Sequence, residues 1–230
     1  MKTLGLLGGM SWESTLTYYQ TINRLTRERL GGLHSAPLII WSGDFAPIAE
    51  LQAAGQWRQA GDVLVAAARQ LQAAGAEALL ICANTMHKVA PQITAATNLP
   101  LLHIADATAE AIKTARLSRP LLLATKFTME QDFYRNHMAA AGVECLIPQQ
   151  EARERLHAII FDELVQGKLN PRSRDYIIEL TARAMQEEGV DAVILGCTEF
   201  GLLLDQSAFD IPLFDTARLH AQAAVDFALT

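Results

Sequence analysis

The chain has 230 residues, of which 50% are apolar and 19% charged, with a formal charge of -6 and three cysteines. That apolar content supports a buried core and excludes wholesale disorder, and the length predicts one large or two small domains. The acidic balance argues against a nucleic-acid partner, because phosphate neutralisation needs clustered Lys and Arg, and no apolar run reaches the ~20 residues of a membrane span.

The opening MKTLGLLGGMSWEST has one basic residue and a short apolar stretch that runs into a polar helix start, so it is expected to be a first strand rather than a signal peptide. Further short runs rich in Leu, Ile and Val follow. With the first at Thr3–Leu7, they fall at Pro37–Trp41, Ala78–Cys82, Leu99–Ile104, Pro120–Ala124, Val143–Ile147, Ala192–Leu195 and Ile211–Phe214. Most are continuously apolar, the pattern of parallel strands buried on both faces. Amphipathic stretches lie between them. Within Asp62–Ala74, Val63, Ala67, Leu71 and Ala74 are predicted to share a buried face, and within Ser173–Glu188 the stripe is Ile177, Leu180, Ala184 and Met185. Alternating strands and helices predict an α/β fold with mainly parallel sheets.

An internal repeat sharpens that expectation. GAEALLICANT from Gly75 aligns without a gap on GVDAVILGCTE from Gly189, a shift of 114 residues. The preceding helices keep the same frame, pairing Arg69 with Arg183, Leu71 with Met185 and Gln72 with Gln186. LPLLHI from Leu99 resembles IPLFDT from Ile211, and TLGLLGG has its counterpart in RPLLLAT from Arg119. Two pseudo-symmetric α/β domains are therefore expected, residues 1–114 and 115–215, separated near the polar segment Lys113–Ser118. Residues 216–230 are expected to form a helix that packs back on the first domain.

Ligands of open α/β sheets bind beyond the carboxyl ends of the strands, so a cleft between two duplicated domains is the expected active site. The residues at those ends are Gly8–Thr15, Ala83–His87, Thr125–Thr128 and Cys197–Glu199, a set rich in Gly, Ser, Thr and Asn that suits a small carboxylate. Cys197 follows the apolar strand AVILG, where a helix should begin. Backbone N–H groups there are expected to lower its thiol pKa, although a buried structural cysteine has the same pattern. The glycines of GLLGGM do not match a dinucleotide fingerprint; a tight turn, with Ser11, Ser14 and Thr15 opening a helix, fits better. Thr125 and Thr128 offer two hydroxyls, with helix capping as the plainer role of Thr128. His87 could assist proton transfer, but a histidine on a helix face is more often structural. His34, His103, His137 and His157 show no partner pattern. Asp215 is either polar support for the cleft or a helix cap. Cys82, Cys145 and Cys197 are too few and too widely spaced for a disulfide scaffold or an unaided zinc site, and they fit a reducing cytoplasm.

GLLGGMSWEST, NTMHK, TKFT with MEQDFY, GCTE and the terminal FDT with His220 together resemble the aspartate/glutamate racemase family, in the family's order over nearly the whole chain. The resemblance implies a cytoplasmic homodimer of two-domain subunits that racemises a small amino acid without pyridoxal phosphate or metal. Two cysteines, one per domain, would flank the substrate Cα. Carried onto this chain, Cys197 is one base, and Asn84, Thr85 and Thr198 are donors to the α-carboxylate. Glu199, Met10, Ser11, Gln52, Ala83, Thr125 and Thr128 complete the binding set. Where aspartate-specific relatives carry an arginine after the second strand, this chain offers only Gln52 and Gln56, with Arg58 further on, which shifts weight toward neutral or broader substrates.

The departure from the family lies at Ala83, the repeat partner of Cys197 and the place of the family's first cysteine. A methyl group transfers no proton. Cys82 is adjacent, but neighbouring strand residues point to opposite sides, so its thiol is expected in the core. Three readings stay open. Cys197 works with water, Thr85 or a shifted Cys82 as second partner; or the chain performs one-base decarboxylation or isomerisation, as the related arylmalonate decarboxylases do; or it binds a carboxylate with vestigial catalysis.

Overall fold

Runs of branched and aliphatic residues pair in parallel wherever both of their faces can be covered by helices, and the computed structural model, which describes all 230 residues, follows that rule in two units. One unit comprises Met1–Ile104 with His220–Thr230, and the other Ala105–Leu219.

The first unit is built on strands β1 (Leu4–Gly8), β2 (Leu38–Ser42), β3 (Ala78–Ile81) and β4 (Leu101–Leu102), all parallel, in the order β2-β1-β3-β4. β1 and β3 are central and wholly buried, whereas β2 lies at an edge with Ile40 exposed. Its helices are α1 (Trp12–Leu30), α2 (Phe45–Ala53), α3 (Trp57–Ala73) and α4 (Ala90–Ala96), and α5 (Ile104–Thr114) leads into the second unit. In α1, Ser11 caps the N-terminus by accepting from the Ser14 N–H at 3.3 Å, and Gly31, at φ 73°, ends the helix with its N–H on the Arg27 carbonyl. The buried face of α3 is Ala60, Gly61, Leu64, Ala67, Ala68 and Leu71. The predicted stripe is thus correct at Ala67 and Leu71 and wrong at Val63, which is 37% exposed, and at Ala74, also exposed. The helix begins at Trp57, so its facing surface is set by Ala60 and Leu64. Full burial of a leucine such as Leu64 is worth about 1.5–3 kcal/mol before conformational entropy is counted.

The second unit has strands β5 (Pro120–Ala124), β6 (Ala192–Gly196) and β7 (Leu213–Asp215), parallel and in that order. Its helices are α6 (Lys126–Glu130), α7 (Asp132–Ala140), α8 (Gln150–Ala158), α9 (Pro171–Glu188) and α10 (Phe200–Leu203), and α11 (Thr216–Leu229) carries the chain back into the first unit at His220. The expected strand at Val143–Ile147 does not form. Only Leu146 bridges Leu121, with its N–H on the Pro120 carbonyl and its carbonyl on the Leu122 N–H. Pro148, which has no N–H, follows directly and stops the pairing. That bridge occupies the place of β2 beside β1, so the two sheets repeat one order of strands, as the sequence repeat predicts. In α9 the buried face is Ser173, Ile177, Thr181 and Ala184, while Leu180 and Met185 are only partly covered. No helix is long and apolar enough to cross a membrane.

Candidate functional site

Apart from Gln52, on α2, and Asp215, the last residue of β7, the chemistry-bearing residues predicted from sequence stand just beyond the carboxyl ends of β1, β3, β5 and β6, and each unit is described in turn.

In the first unit, the turn after β1 is held by one hydroxyl. Thr15 Oγ1 accepts from the Gly9 N–H at 2.8 Å and donates to the Ser11 carbonyl at 2.9 Å. Gly9 has φ 84°, and a side chain there would collide with the backbone of Gly43, so glycine is required on both counts. Met10 and Ser11 are buried in this turn. One carboxylate oxygen of Glu13, in the first turn of α1, is shielded without a hydrogen-bond partner. Nothing in the sequence marked Glu13, because an acidic residue in a helix's first turn is ordinary.

The β3 end places Ala83, Asn84 and Thr85 in sequence, all buried, and enters a short 3₁₀ turn at Thr85–Val89. Cys82 has no exposed surface, and burial pushes its thiol pKa far up. Ala83 is 8% exposed and packs with the apolar core of this unit. Gln52, on α2, is buried and donates its amide to Met86 Sδ at 3.0 Å, which brings it against the same turn. Gln56 and Arg58 are both exposed. His87 is buried in the turn, with Nδ1 2.9 Å from the Ala83 carbonyl and Nε2 accepting from the Ile104 N–H at 3.2 Å.

In the second unit, Thr125 is the residue that caps α6, accepting from the Thr128 N–H at 3.3 Å, and the two hydroxyls are 3.2 Å apart. Asp215 caps the start of α11 by accepting from the Arg218 N–H at 3.1 Å, and burial raises its carboxyl pKa. Thr216 donates to the Leu195 carbonyl in β6 at 2.8 Å, tying α11 to the strand that leads to Cys197.

Cys197, Thr198 and Glu199 follow β6 and are all buried, the cysteine 7% and the glutamate 3% exposed. Cys197 Sγ donates to Glu199 Oε2 at 3.0 Å, and Thr198 Oγ1 donates to the same oxygen at 2.8 Å. The expected lowering of the Cys197 pKa is overturned. Burial raises it well above the ordinary thiol value, and the Glu199 charge and the hydrogen bond to its carboxylate raise it further. The backbone N–H groups of Glu199 and Phe200 do lower it, but they are outweighed. The resting group is a protonated thiol whose hydrogen already lies on a carboxylate, an arrangement that can pass that proton to Glu199.

Cys145 is only partly buried, its thiol pushed up to about 12 by desolvation. Two other expectations change. His137 does have a partner, Asp106 Oδ1 at 2.5 Å, and His157 Nδ1 accepts from the Lys126 N–H at 3.4 Å. Both partners are remote in sequence, so no spacing rule could have found them.

Comparison with known proteins shows the family and the fold. A Yersinia pestis protein described as a candidate Asp/Glu racemase is 48% identical over the full length of both chains, with a TM-score of 0.91. An aspartate racemase homologue from Pyrococcus horikoshii is 36% identical, again over the whole of both chains, at a TM-score of 0.87. The broad-specificity amino-acid racemase RacX of Bacillus subtilis is 24% identical over 164 residues, 70% of this chain and 69% of that protein. The match covers about half the length of the curated glutamate racemases, 49% for that of Haemophilus influenzae. The profile of the Asp/Glu/Hydantoin racemase family matches residues 7–224, and the chain belongs to that family.

Proposed function

We propose that the protein racemises an α-amino acid of the aspartate/glutamate type or a broader set, without pyridoxal phosphate, using Cys197 as the base that removes the α-proton. The observation that carries this reading is the Cys197–Glu199 contact at 3.0 Å. A thiol with a raised pKa does not ionise unaided near neutrality, so a base must take its proton, and the Glu199 carboxylate, which accepts the thiol's hydrogen bond, stands where that base would have to be. The thiolate then removes the α-proton, and the electron pair left on Cα delocalises into the substrate carboxylate. That carboxylate gains charge in the transition state, where aimed donors stabilise it most. Asn84, Thr85 and Thr198 are assigned that role, with Met10, Ser11, Gln52, Thr125 and Thr128 as further binding residues. A proton returns to Cα from Thr85 or water, and the turnover closes when the donor oxygen is reprotonated from solvent and Glu199 releases to solvent the proton it took. Thr85 and water are both favoured over Cys82, which has no exposed surface.

One-base decarboxylation or isomerisation of a related carboxylate is the second reading, and Ala83 favours it, since its methyl group holds no transferable proton. Incubation with L- and D-aspartate, glutamate and homoserine in deuterium oxide separates the two. Racemisation predicts deuterium at Cα and appearance of the other enantiomer, both abolished in Cys197→Ser. Full exchange in Cys197→Ser refutes the mechanism. A thermal shift with these acids but no exchange leaves a binding protein.

A further inference from the structure

His87 takes no part in the proton transfers above, yet it makes every contact its ring can make. Its Nε2 accepts from a backbone N–H, which can only donate, so Nε2 is bare and the ring proton sits on Nδ1. That Nδ1–H donates to the Ala83 carbonyl at 2.9 Å, and the His87 backbone N–H donates to the Asn84 carbonyl at 3.1 Å. The ring is enclosed by two more imidazoles, with centroids 4.5 Å from His103 and 5.7 Å from His220. His220 is anchored in turn, Nδ1 to the Tyr18 hydroxyl and Nε2 to the Leu102 carbonyl, each at 2.8 Å. The Nδ1–H form is therefore held from both sides by groups that cannot exchange roles.

The two carbonyls that His87 holds belong to the peptide planes on either side of Asn84. A peptide unit is rigid and planar, so fixing both planes fixes φ and ψ of the residue between them, here -64° and -50°. Those two angles set the direction in which the Asn84 side chain leaves the backbone.

We infer that His87 is a positioning residue: its Nδ1–H, on the Ala83 carbonyl, sets the direction of the Asn84 side chain toward the substrate carboxylate. The inference rests on the role proposed above for Asn84. It explains why a histidine four residues beyond Ala83 is buried at the cost of desolvating a polar ring when a leucine would fill similar space.

The protein supplies its own design for the test. In α1, Asn23 donates its side-chain amide to the Tyr19 carbonyl four residues back at 2.8 Å, the same spacing as His87 to Ala83. His87→Asn can thus restore the donor to Ala83 without the Ile104 contact, and His87→Leu restores neither. Three things are measured on each full-length variant: melting temperature, kcat and KM for α-proton exchange, and the NMR signals of the Asn84 side-chain amide, assigned by their loss in Asn84→Asp. Both variants are expected to lose stability through the Ile104 contact. His87→Leu is expected to lose tenfold or more in kcat/KM and to move the Asn84 signals, and His87→Asn to return within threefold of wild type with the signals restored. Activity in His87→Leu within threefold of wild type, or His87→Asn no better than His87→Leu, overturns the inference while leaving the racemase reading intact. Absence of exchange in the wild type refutes the racemase reading instead, and the Asn84 signals then decide the positioning by themselves. ¹⁵N-histidine spectra that place the His87 proton on Nε2 overturn it in either case.

Discussion

Replacing Glu199 by Gln preserves shape and the ability to accept hydrogen bonds but removes the charge, and its effect on Cys197 can be worked from the geometry. Glu199 Oε2 accepts from both Cys197 Sγ and Thr198 Oγ1, at 3.0 and 2.8 Å, with all three residues buried. Two of the three causes that raise the thiol pKa, the Glu199 charge and the hydrogen bond to its carboxylate, disappear with the charge; burial, the largest, stays. The thiol pKa should fall, though not to its ordinary value. If the thiol needed only to ionise, the variant would be faster. If Glu199 is the group that takes the proton, the variant is slower, because an amide is no base. Loss of a general base typically costs about 10²–10⁴-fold, and 10² corresponds to roughly 2.7 kcal/mol in the barrier. The assay pairs the α-deuterium exchange rate with the pH profile of Cys197 alkylation in a Cys145→Ser background. The expected result is exchange down at least about 10²-fold while alkylation moves to lower pH. Exchange unchanged or faster, or an alkylation profile that stays in place, refutes the assignment.

Ala83→Cys should raise racemisation in both directions if the missing thiol limits the return of the proton, read by chiral chromatography from each enantiomer. No gain in either direction counts against that account. Asp215→Asn tests the partly buried cap of α11. Burial raises the folded-state pKa of Asp215 above the unfolded value near ~3.9, so its contribution is favourable below that value and is lost as pH rises through the folded pKa. The asparagine keeps the acceptor for the Arg218 N–H but carries no charge. The melting-temperature difference, variant minus wild type, should therefore grow from acid pH toward neutrality. A difference that is flat or shrinks with pH contradicts the burial reading.

The architecture was largely legible because strands buried on both faces must be continuously apolar. β5 was located to the residue, and the alignment of Gly75–Thr85 on Gly189–Glu199 anticipated that the two sheets would share one order of strands. Errors arose where a local pattern lacked information about neighbours. Val143–Ile147 is apolar enough for a strand, but its pairing ends at one bridge before Pro148. Val63 matches the period of a buried stripe, yet the surface that α3 presents is set by Ala60 and Leu64. At the candidate site, residue types and their place after the strands could be read directly, since ligand sites of such sheets lie there.

The linear chain determined which side chains stand beyond β1, β3, β5 and β6, and that Ala83 stands where the repeat would put a second cysteine, because strand alternation and repeat frame are properties of order along the backbone. Only the tertiary structure decided what those groups are. A helix start predicts a thiol made more acidic, but pKa depends on the whole environment, and burial with an adjacent carboxylate reverses the sign at Cys197. A histidine four residues beyond Ala83 is read as a proton carrier or a core residue, until Ala83 and Ile104 are seen to hold opposite sides of its ring. Short-range order sets direction and face; burial, charge and the tautomer of an imidazole are set by contacts between residues distant in sequence.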